Sequence, residues 1–194
     1  MNLILITGKS GSGKSTFAKL LAQKLGYKYI DVDKIVHKLY EHEIVIQKVK
    51  ELFGDEVFDN NNMFNRKKLG NIFFNEKSKR VLDYTEFTYN IVSKEIDLLL
   101  NQDAVIDYIL LPQTKYWNQK CAKILVKSVN DEQRFCMLQK RDNITTDYIK
   151  KRETASIDYN DSDFDFIIQN DYNLKNMENK VEEIFNCLNK KLKE

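Results

Sequence analysis

Three glycines, a lysine and a serine near the amino terminus have the types and the spacing needed to hold a polyphosphate. Gly8, Gly13, Lys14 and Ser15 form the pattern Gly-x-x-x-x-Gly-Lys-Ser without a mismatch. Gly8, Gly11 and Gly13 allow positive φ angles in this loop, so that successive backbone N–H groups can point at an anion. The lysine adds a full positive charge, and the serine hydroxyl is a ligand for Mg²⁺. The pattern predicts a binding site for a nucleoside triphosphate.

Three aspartates are candidates for acid–base or metal chemistry. Asp31 and Asp33 follow the apolar segment at residues 27–30, and two residues this far apart in an extended chain point to the same side. Phosphoryl transfer to an alcohol needs a group that orients or deprotonates the hydroxyl. Asp33 is predicted to accept that proton, and the alternative is that Asp33 only caps the next helix. Asp31 is predicted to assist it, either as a hydrogen-bond partner or in the coordination shell of Mg²⁺. Asp107 lies in an apolar segment where an unpaired carboxylate is costly, which indicates a magnesium-shell or substrate role.

Basic side chains that are candidates for the site lie in two regions. His37 follows Asp33 by four residues on the same helical face, a position compatible with either a substrate contact or an exposed surface. Basic residues also recur over residues 134–152. Arginine stabilises the charge that spreads over a transferring phosphoryl group, and mobile lids often carry it. Most such charges belong to a solvated helix face, but we expect Arg141 and Arg152 to reach the site. The lysines of this run are expected on the surface: Lys140, Lys150 and Lys151.

The elements that must position these side chains alternate between strand and helix. Apolar runs at residues 3–6, 27–30, 103–111, 124–126 and 164–168 are predicted strands. A loop is expected at 54–65, and the helix that follows it is expected to break near Asn75. Helical patterns cover residues of about 14–25, 35–53, 66–100, 131–141, 146–156 and 174–192. This alternation predicts an α/β fold in which helices cover both faces of a parallel five-stranded sheet. Ligands of such sheets bind at the carboxyl ends of the strands.

The composition is that of a soluble globular protein. The 194 residues are 42% hydrophobic and carry a net charge of +2, which is too small to argue for nucleic acid or membrane partners. The three cysteines have no Cys-x-x-Cys spacing, so they indicate neither a metal site nor a disulfide framework and fit a cytoplasmic protein. No apolar run approaches the ~20 residues of a membrane span. We expect one domain over residues 1–194, acting as a monomer on small molecules.

Several motifs, in this order, resemble those of the dephospho-coenzyme A kinase family. The family's loop ends in Gly-x-Gly-Ser-Gly-Lys-Ser-Thr, similar to residues 11–16, and its Asp-x-Asp is similar to residues 31–33. Its middle Asp-Arg-x-x-Leu resembles residues 65–69, and its lid motif Leu-x-x-Arg-Asp resembles residues 138–142. Its Ala-Asp-x-Val-Ile-x-Asn near the nucleotide base resembles residues 164–170. The ordered combination is much more specific than the phosphate loop, which many families share.

The resemblance implies a P-loop NTPase fold with a helical acceptor-binding region at about 43–100 and a lid at about 131–157. It implies ATP-dependent phosphorylation of the ribose 3′-hydroxyl of dephospho-coenzyme A, the last step of coenzyme A synthesis, with Mg²⁺. The implied catalytic residues are Asp33, Lys14 and Arg141. Mg²⁺ is implied to bind Ser15. The implied ATP site comprises Gly11, Ser12, Gly13, Lys14, Ser15, Thr16, Arg152 and Asn170. The implied acceptor contacts are Asp31, Asp33, His37, Arg66 and Asp107.

The chain also departs from the family pattern at positions that concern the acceptor. The segment from Ile109 to Gln113 lacks the early proline and the glutamate that usually follow the third strand, and Met137 stands where a lid arginine is expected. The His-Pro pair expected near Phe87 is absent. A nucleoside or nucleoside-monophosphate kinase shares the loop, the acidic residue and the lid and is one alternative. A P-loop ATPase or switch, with water as the acceptor, is an alternative of another class.

Overall fold

A computed structural model describes residues 1–59, 63–154 and 158–191, without the side chains of Phe74, Lys151, Arg152, Thr154 and Lys191. The chain divides into two compact units. The first unit comprises Met1–Asp31 and Leu100–Glu194, and the second is Val32–Leu99.

The first unit contains a five-stranded parallel sheet, which confirms the predicted fold. Its strands are β1 (Leu3–Thr7), β2 (Lys28–Asp31), β3 (Ala104–Asp107), β4 (Ala122–Ser128) and β5 (Phe166–Asn170), in the order β2-β3-β1-β4-β5. β1 is buried along its whole length, as is typical of strands covered on both faces. β3 ends at Asp107 and not at Leu111 as expected, and the chain forms a short 3₁₀ turn around Pro112, which has no N–H for a sheet ladder.

Helices α1 (Lys14–Leu25), α6 (Asp131–Asp142), α7 (Thr146–Thr154) and α8 (Leu174–Lys191) belong to the same unit. Gly26 ends α1 in the left-handed conformation, with a φ of 69°, as its position after the apolar stripe predicts. Four residues of the expected apolar stripe of α8 are buried: Met177, Val181, Ile184 and Leu188. Phe185 is half-buried, Leu174 at the amino end of the helix is 59% exposed, which corrects the expectation for that residue, and Leu192 lies outside the described residues. The core of this unit joins the sheet to α1 and α8 through Ile4, Ile6, Phe17, Leu21, Val105, Val126, Met177, Val181, Ile184 and Leu188.

The second unit is helical and consists of α2 (Val32–Leu39), α3 (Glu43–Phe53), α4 (Arg66–Asn75) and α5 (Lys79–Leu99). One irregular helix was expected over residues 35–53, but the helix is interrupted between Leu39 and Glu43. The expected break near Asn75 is confirmed. Rings of Phe53, Phe73 and Tyr84 form its aromatic centre, with centroids 5.5–6.0 Å apart. Among the described residues, no helix is long and apolar enough to cross a membrane.

Candidate active site

The strand register brings several polar residues of the first unit to one edge of the sheet. Asp107 is in register with Ile6 of β1 and with Asp31 of β2, and Ser128 is in register with Asn170. All these strands are parallel, so their carboxyl ends meet where β1 leads into the glycine-rich loop. The expected convergence is therefore present for the parts of the site that belong to this unit.

The glycine-rich loop at residues 8–13 is packed so closely that its glycines cannot carry a side chain. Gly11 and Gly13 have φ angles of 77° and 89°. A Cβ atom on Gly8 would lie 2.2 Å from the Val126 carbonyl oxygen, and one on Gly13 would lie 2.2 Å from the Asn170 amide nitrogen. Because α1 begins at Lys14, its amino-terminal dipole and the loop N–H groups favour an anion at the same place.

Lys14, Ser15, Tyr29 and Asp107 form a polar cluster beside this loop. The Lys14 ammonium lies 3.5 Å from Asp107 Oδ1 and 3.4 Å from the Ser15 hydroxyl. The Tyr29 hydroxyl donates to Asp107 Oδ2 at 2.9 Å. Burial raises the pKa of Tyr29, and the negative charges of Asp107 and Asp31 raise it further, so the phenol stays a neutral donor. The Tyr29 hydroxyl satisfies one oxygen of the buried Asp107 carboxylate, which is 1% exposed, and the ion pair supplies a counter-charge for Lys14.

Two observations indicate that the loop can hold a phosphate group. The Ser12 hydroxyl is buried and has no hydrogen-bond partner in the described part of the chain, so a phosphate oxygen would satisfy it. A pocket of about 280 Å³ adjoins the loop, with Lys9, Ser12, Ser128, Arg134 and Tyr159 in its wall. Thr16 is exposed in the first turn of α1.

The donor set also fits Mg²⁺. Ser15 and Asp107 offer a hydroxyl and a carboxylate in the same cluster, and oxygen ligands of this kind suit a hard cation. The described residues contain no group of three or more His, Cys, Asp or Glu side chains that could hold a metal by themselves. Mg²⁺ usually takes only one or two protein ligands and completes its shell with phosphate oxygens and water.

The predicted lid residues lie on the two helices that follow β4. Arg141 is exposed near the end of α6 and donates to the carboxylate of Asp142 at 2.6 and 2.8 Å. The side chain of Arg152, on α7, lies outside the described residues. The roles of both arginines in phosphoryl transfer stay predictions.

Arg134 is a residue of this site that the sequence did not single out. In the sequence it is one member of a run of basic residues and has no role of its own, whereas in the structure its side chain is 1% exposed. Its guanidinium donates a hydrogen bond to the Asp131 carboxylate at 2.9 Å and forms a salt bridge with Glu153 of α7. It also donates to the Ser10 carbonyl of the loop at 3.1 Å. Burial lowers the pKa of Arg134, whereas the carboxylates of Asp131 and Glu153 raise it. The net effect is a raised pKa, so the guanidinium stays charged. Its spacing of three residues from Asp131, on one helical face, is the signal that could have marked it.

Asn170 and Tyr172 contact the backbone of the loop. The resemblance implies a position near the nucleotide base for Asn170. In the structure the Asn170 amide is buried, donates to the Ser12 carbonyl at 2.8 Å and accepts from the Tyr172 N–H at 2.9 Å. The Tyr172 hydroxyl donates to the Gly11 carbonyl at 3.0 Å. Nothing in the sequence pattern indicated Tyr172.

Asp31 and Asp33 belong to different elements, which corrects the expectation that they share one extended segment. Asp31 is the last residue of β2, whereas Val32 already begins α2 and Asp33 lies in its first turn. A carboxylate in this turn is favoured by the helix dipole, so a structural role and a catalytic role for Asp33 are compatible. The orientation argument from an extended chain therefore does not apply.

Arg66 and His37 are neighbours within the second unit. The Arg66 guanidinium donates to the His37 carbonyl at 2.8 Å and lies 5.0 Å from the centroid of the Tyr40 ring. The imidazole of His37 is on an exposed residue of α2. Contacts of either side chain with an acceptor stay a prediction.

Comparisons with known proteins agree with the motifs. A family model for CoaE, dephospho-CoA kinase, matches residues 2–176. A dephospho-CoA kinase from Fusobacterium nucleatum is 30% identical over 192 residues, which cover 93% of this chain and 95% of that protein. The solved dephospho-CoA kinase from Campylobacter jejuni is 25% identical with a TM-score of 0.64, over 97% of this chain and 98% of that one. TT1252 from Thermus thermophilus shares the fold, with a TM-score of 0.72 at 23% identity over 96% of this chain and 97% of that one. The chain belongs to the dephospho-CoA kinase family.

Proposed function

We propose that this chain transfers the γ-phosphoryl group of ATP to the ribose 3′-hydroxyl of dephospho-coenzyme A. Membership of the family over residues 2–176 supports the acceptor. The observation that carries the proposal is the glycine-rich loop with the buried Lys14–Asp107 pair beside it, because this arrangement supplies both an anion cradle and a fixed positive charge.

The first unit holds the triphosphate. Loop N–H groups and the Ser12 hydroxyl contact phosphate oxygens, and Lys14 places its charge on the outer phosphates. Ser15 and Asp107 would hold Mg²⁺, which would neutralise charge on the phosphate oxygens. Arg141 and Arg152 come from the lid and stabilise the charge that develops on the transferring group.

The acceptor hydroxyl is prepared by an acid of the second unit. Asp33 accepts the proton of the 3′-hydroxyl while the ribose oxygen forms a bond to the γ-phosphorus. The bond between that phosphorus and the β–γ bridging oxygen breaks, and ADP leaves with the electron pair. Asp31 orients the hydroxyl, and His37 and Arg66 contact the acceptor. Lid closure excludes water, which would otherwise compete as the acceptor.

An acceptor panel tests this proposal. The protein is incubated with ATP and MgCl₂ and with dephospho-coenzyme A, with a set of nucleosides and nucleoside monophosphates, or without acceptor, and the products are identified by mass spectrometry. We expect coenzyme A and ADP in equal amounts from the first mixture only. The Lys14→Met variant serves as the control for contaminating kinases.

The same panel separates the alternatives. Turnover with a nucleoside or nucleoside monophosphate, and none with dephospho-coenzyme A, would identify a different kinase. ADP release that no acceptor changes would instead indicate an ATPase or a switch. Either result contradicts the proposed acceptor.

A further inference from the structure

Three consecutive carbonyl oxygens of the phosphate loop each accept a hydrogen bond from a distant side chain. Arg134 Nη1 donates to the Ser10 carbonyl at 3.1 Å, across 124 residues of sequence. The Tyr172 hydroxyl donates to the Gly11 carbonyl at 3.0 Å, and Asn170 Nδ2 donates to the Ser12 carbonyl at 2.8 Å. The three donors come from α6, from the end of β5 and from the segment after β5.

The glycines of the loop allow these donors to approach. A Cβ on Gly11 would lie 3.1 Å from Arg134 Cγ, and a Cβ on Gly13 would lie 2.2 Å from Asn170 Nδ2. Any side chain at Gly13 would therefore displace the Asn170 amide. Two of the three donors are almost fully buried, Arg134 at 1% and Asn170 at 3% exposure, so water cannot replace them easily.

Holding a carbonyl also fixes the N–H of the next residue, because both belong to one planar trans peptide and point in opposite directions. The three bonds therefore set the orientation of the peptides from Ser10 to Gly13. The Ser12 N–H is used within the loop, where it donates to the Lys9 carbonyl at 3.1 Å. The N–H groups of Gly11 and Gly13 face away from the fixed carbonyls, as an anion-binding loop requires.

Each donor is itself held by a second contact. Arg134 is paired with Asp131 and Glu153, and thus connects the loop to α6 and α7. The Tyr172 hydroxyl also lies 2.8 Å from the Ser128 hydroxyl. Tyr172 has a φ of 63°, a conformation that costs energy for a tyrosine and persists only where neighbours impose it.

We propose that Arg134, Asn170 and Tyr172 form a carbonyl clamp, a set of positioning residues that holds the phosphate loop in its ATP-binding conformation before the nucleotide arrives. The clamp acts on the ligand through the loop backbone, and this inference rests on ATP binding as part of the proposed function. Its ligand class is any linear polyphosphate, because the fixed N–H groups contact phosphate and not the base.

Tyr172→Phe tests the clamp because it removes a single hydroxyl. Binding of ATP and of inorganic tripolyphosphate is measured by titration calorimetry. We expect the Kd of both ligands to rise by about fivefold, the effect of one lost hydrogen bond. Arg134→Gln should weaken both by about tenfold or more, because a charged donor is lost. The KM for ATP should rise while the KM for the acceptor stays constant.

Tyr27→Phe is the matched control. The Tyr27 hydroxyl is also hydrogen-bonded, to Asn2, but lies at the amino end of the sheet, away from the loop. The control should leave both Kd values unchanged.

Wild-type affinity for ATP and tripolyphosphate in both Tyr172→Phe and Arg134→Gln would overturn the clamp. If the melting temperature of these variants is lowered at the same time, the residues are merely structural. The wild-type chain could bind tripolyphosphate and yet fail to phosphorylate dephospho-coenzyme A. That result would contradict only the proposed function, and the affinities of the variants would still test the clamp. Failure of the wild type to bind either polyphosphate overturns both.

Discussion

The ammonium group of Lys14 lies 3.5 Å from the buried carboxylate of Asp107, where α1 begins and β3 ends. This pair fixes the position of the lysine beside the loop before any phosphate is bound. The same carboxylate accepts a hydrogen bond from Tyr29 and lies in register with Asp31. Asp107 therefore contacts both Lys14 at the start of α1 and Tyr29 of the neighbouring strand β2, and it is itself a candidate magnesium ligand.

Asp107→Asn should reduce both stability and metal use. Loss of the carboxylate removes the counter-charge of Lys14, so we expect the free energy of unfolding in urea to fall by about 1.5–3 kcal/mol. The Mg²⁺ concentration for half-maximal turnover should rise by at least about tenfold. The exposed Asp163 provides the control Asp163→Asn. An unchanged Mg²⁺ dependence would remove Asp107 from the metal site.

Ser15→Ala tests the hydroxyl that is predicted to bind Mg²⁺. We expect turnover at low Mg²⁺ to fall by about 10- to 100-fold and to recover partly at high Mg²⁺, since the metal site loses one ligand. Ser15→Thr keeps a hydroxyl and should behave like the wild type. Steady-state rates over a Mg²⁺ titration check this. Equal rates for the alanine and threonine variants at every Mg²⁺ concentration would contradict the assignment.

Arg141→Gln tests the lid. The guanidinium is exposed and contacts the Asp142 carboxylate, and its proposed role requires it to reach the phosphates on lid closure. We expect kcat to fall by at least about tenfold while the Kd of ATP changes little. Lys140→Gln is the control, because it removes a charge from the adjacent exposed position. Similar rates for the two variants would leave Arg141 without a catalytic role.

The stability of the chain should decline above about pH 10. Burial raises the pKa of Tyr84 above its ordinary 10.0, and it also raises that of Tyr40. The unfolded chain releases these protons above pH 10 and the folded chain keeps them, so the stabilisation is complete below pH 10 and falls as the pH rises. Each group contributes a slope of about 1.4 kcal/mol per pH unit.

Urea unfolding from pH 8 to 11 measures this slope. Tyr84→Phe should make it shallower, whereas Tyr89→Phe, on the same helix at a half-buried position, is the control. A slope that does not change in Tyr84→Phe would contradict the assignment to this phenol.

Local sequence patterns predict the strands and the phosphate loop because each depends on residues close together in the chain. Alternation of strand and helix indicates a parallel sheet, and glycine and lysine spacing indicates the loop. The strand order and the register were not predicted, because they pair strands that lie far apart in the sequence. The start of α2 was misplaced because Ile30 and Val32, on either side of Asp31, are β-branched residues that favour a strand, whereas Val32 already begins the helix.

The residues that hold the loop could not be predicted in the same way. Arg134 and Tyr172 contact the loop across 124 and 161 residues of sequence. In the sequence, Arg134 is one basic residue among several on two helices, and the fold shows that its side chain is buried. Tyr172 depends on a positive φ after the last strand, which no local pattern of residues 170–173 indicates.

The role of Asp33 is the central claim, and a comparison of ATP binding with turnover tests it most directly. For Asp33→Asn we expect the Kd of ATP to stay within about twofold of the wild type, while kcat with dephospho-coenzyme A falls by on the order of 10²-fold or more, as for a lost general base. Asp83→Asn, an exposed change on α5, should leave both values unchanged. Equal losses of ATP affinity and turnover in Asp33→Asn, or turnover close to that of the wild type, would contradict the account.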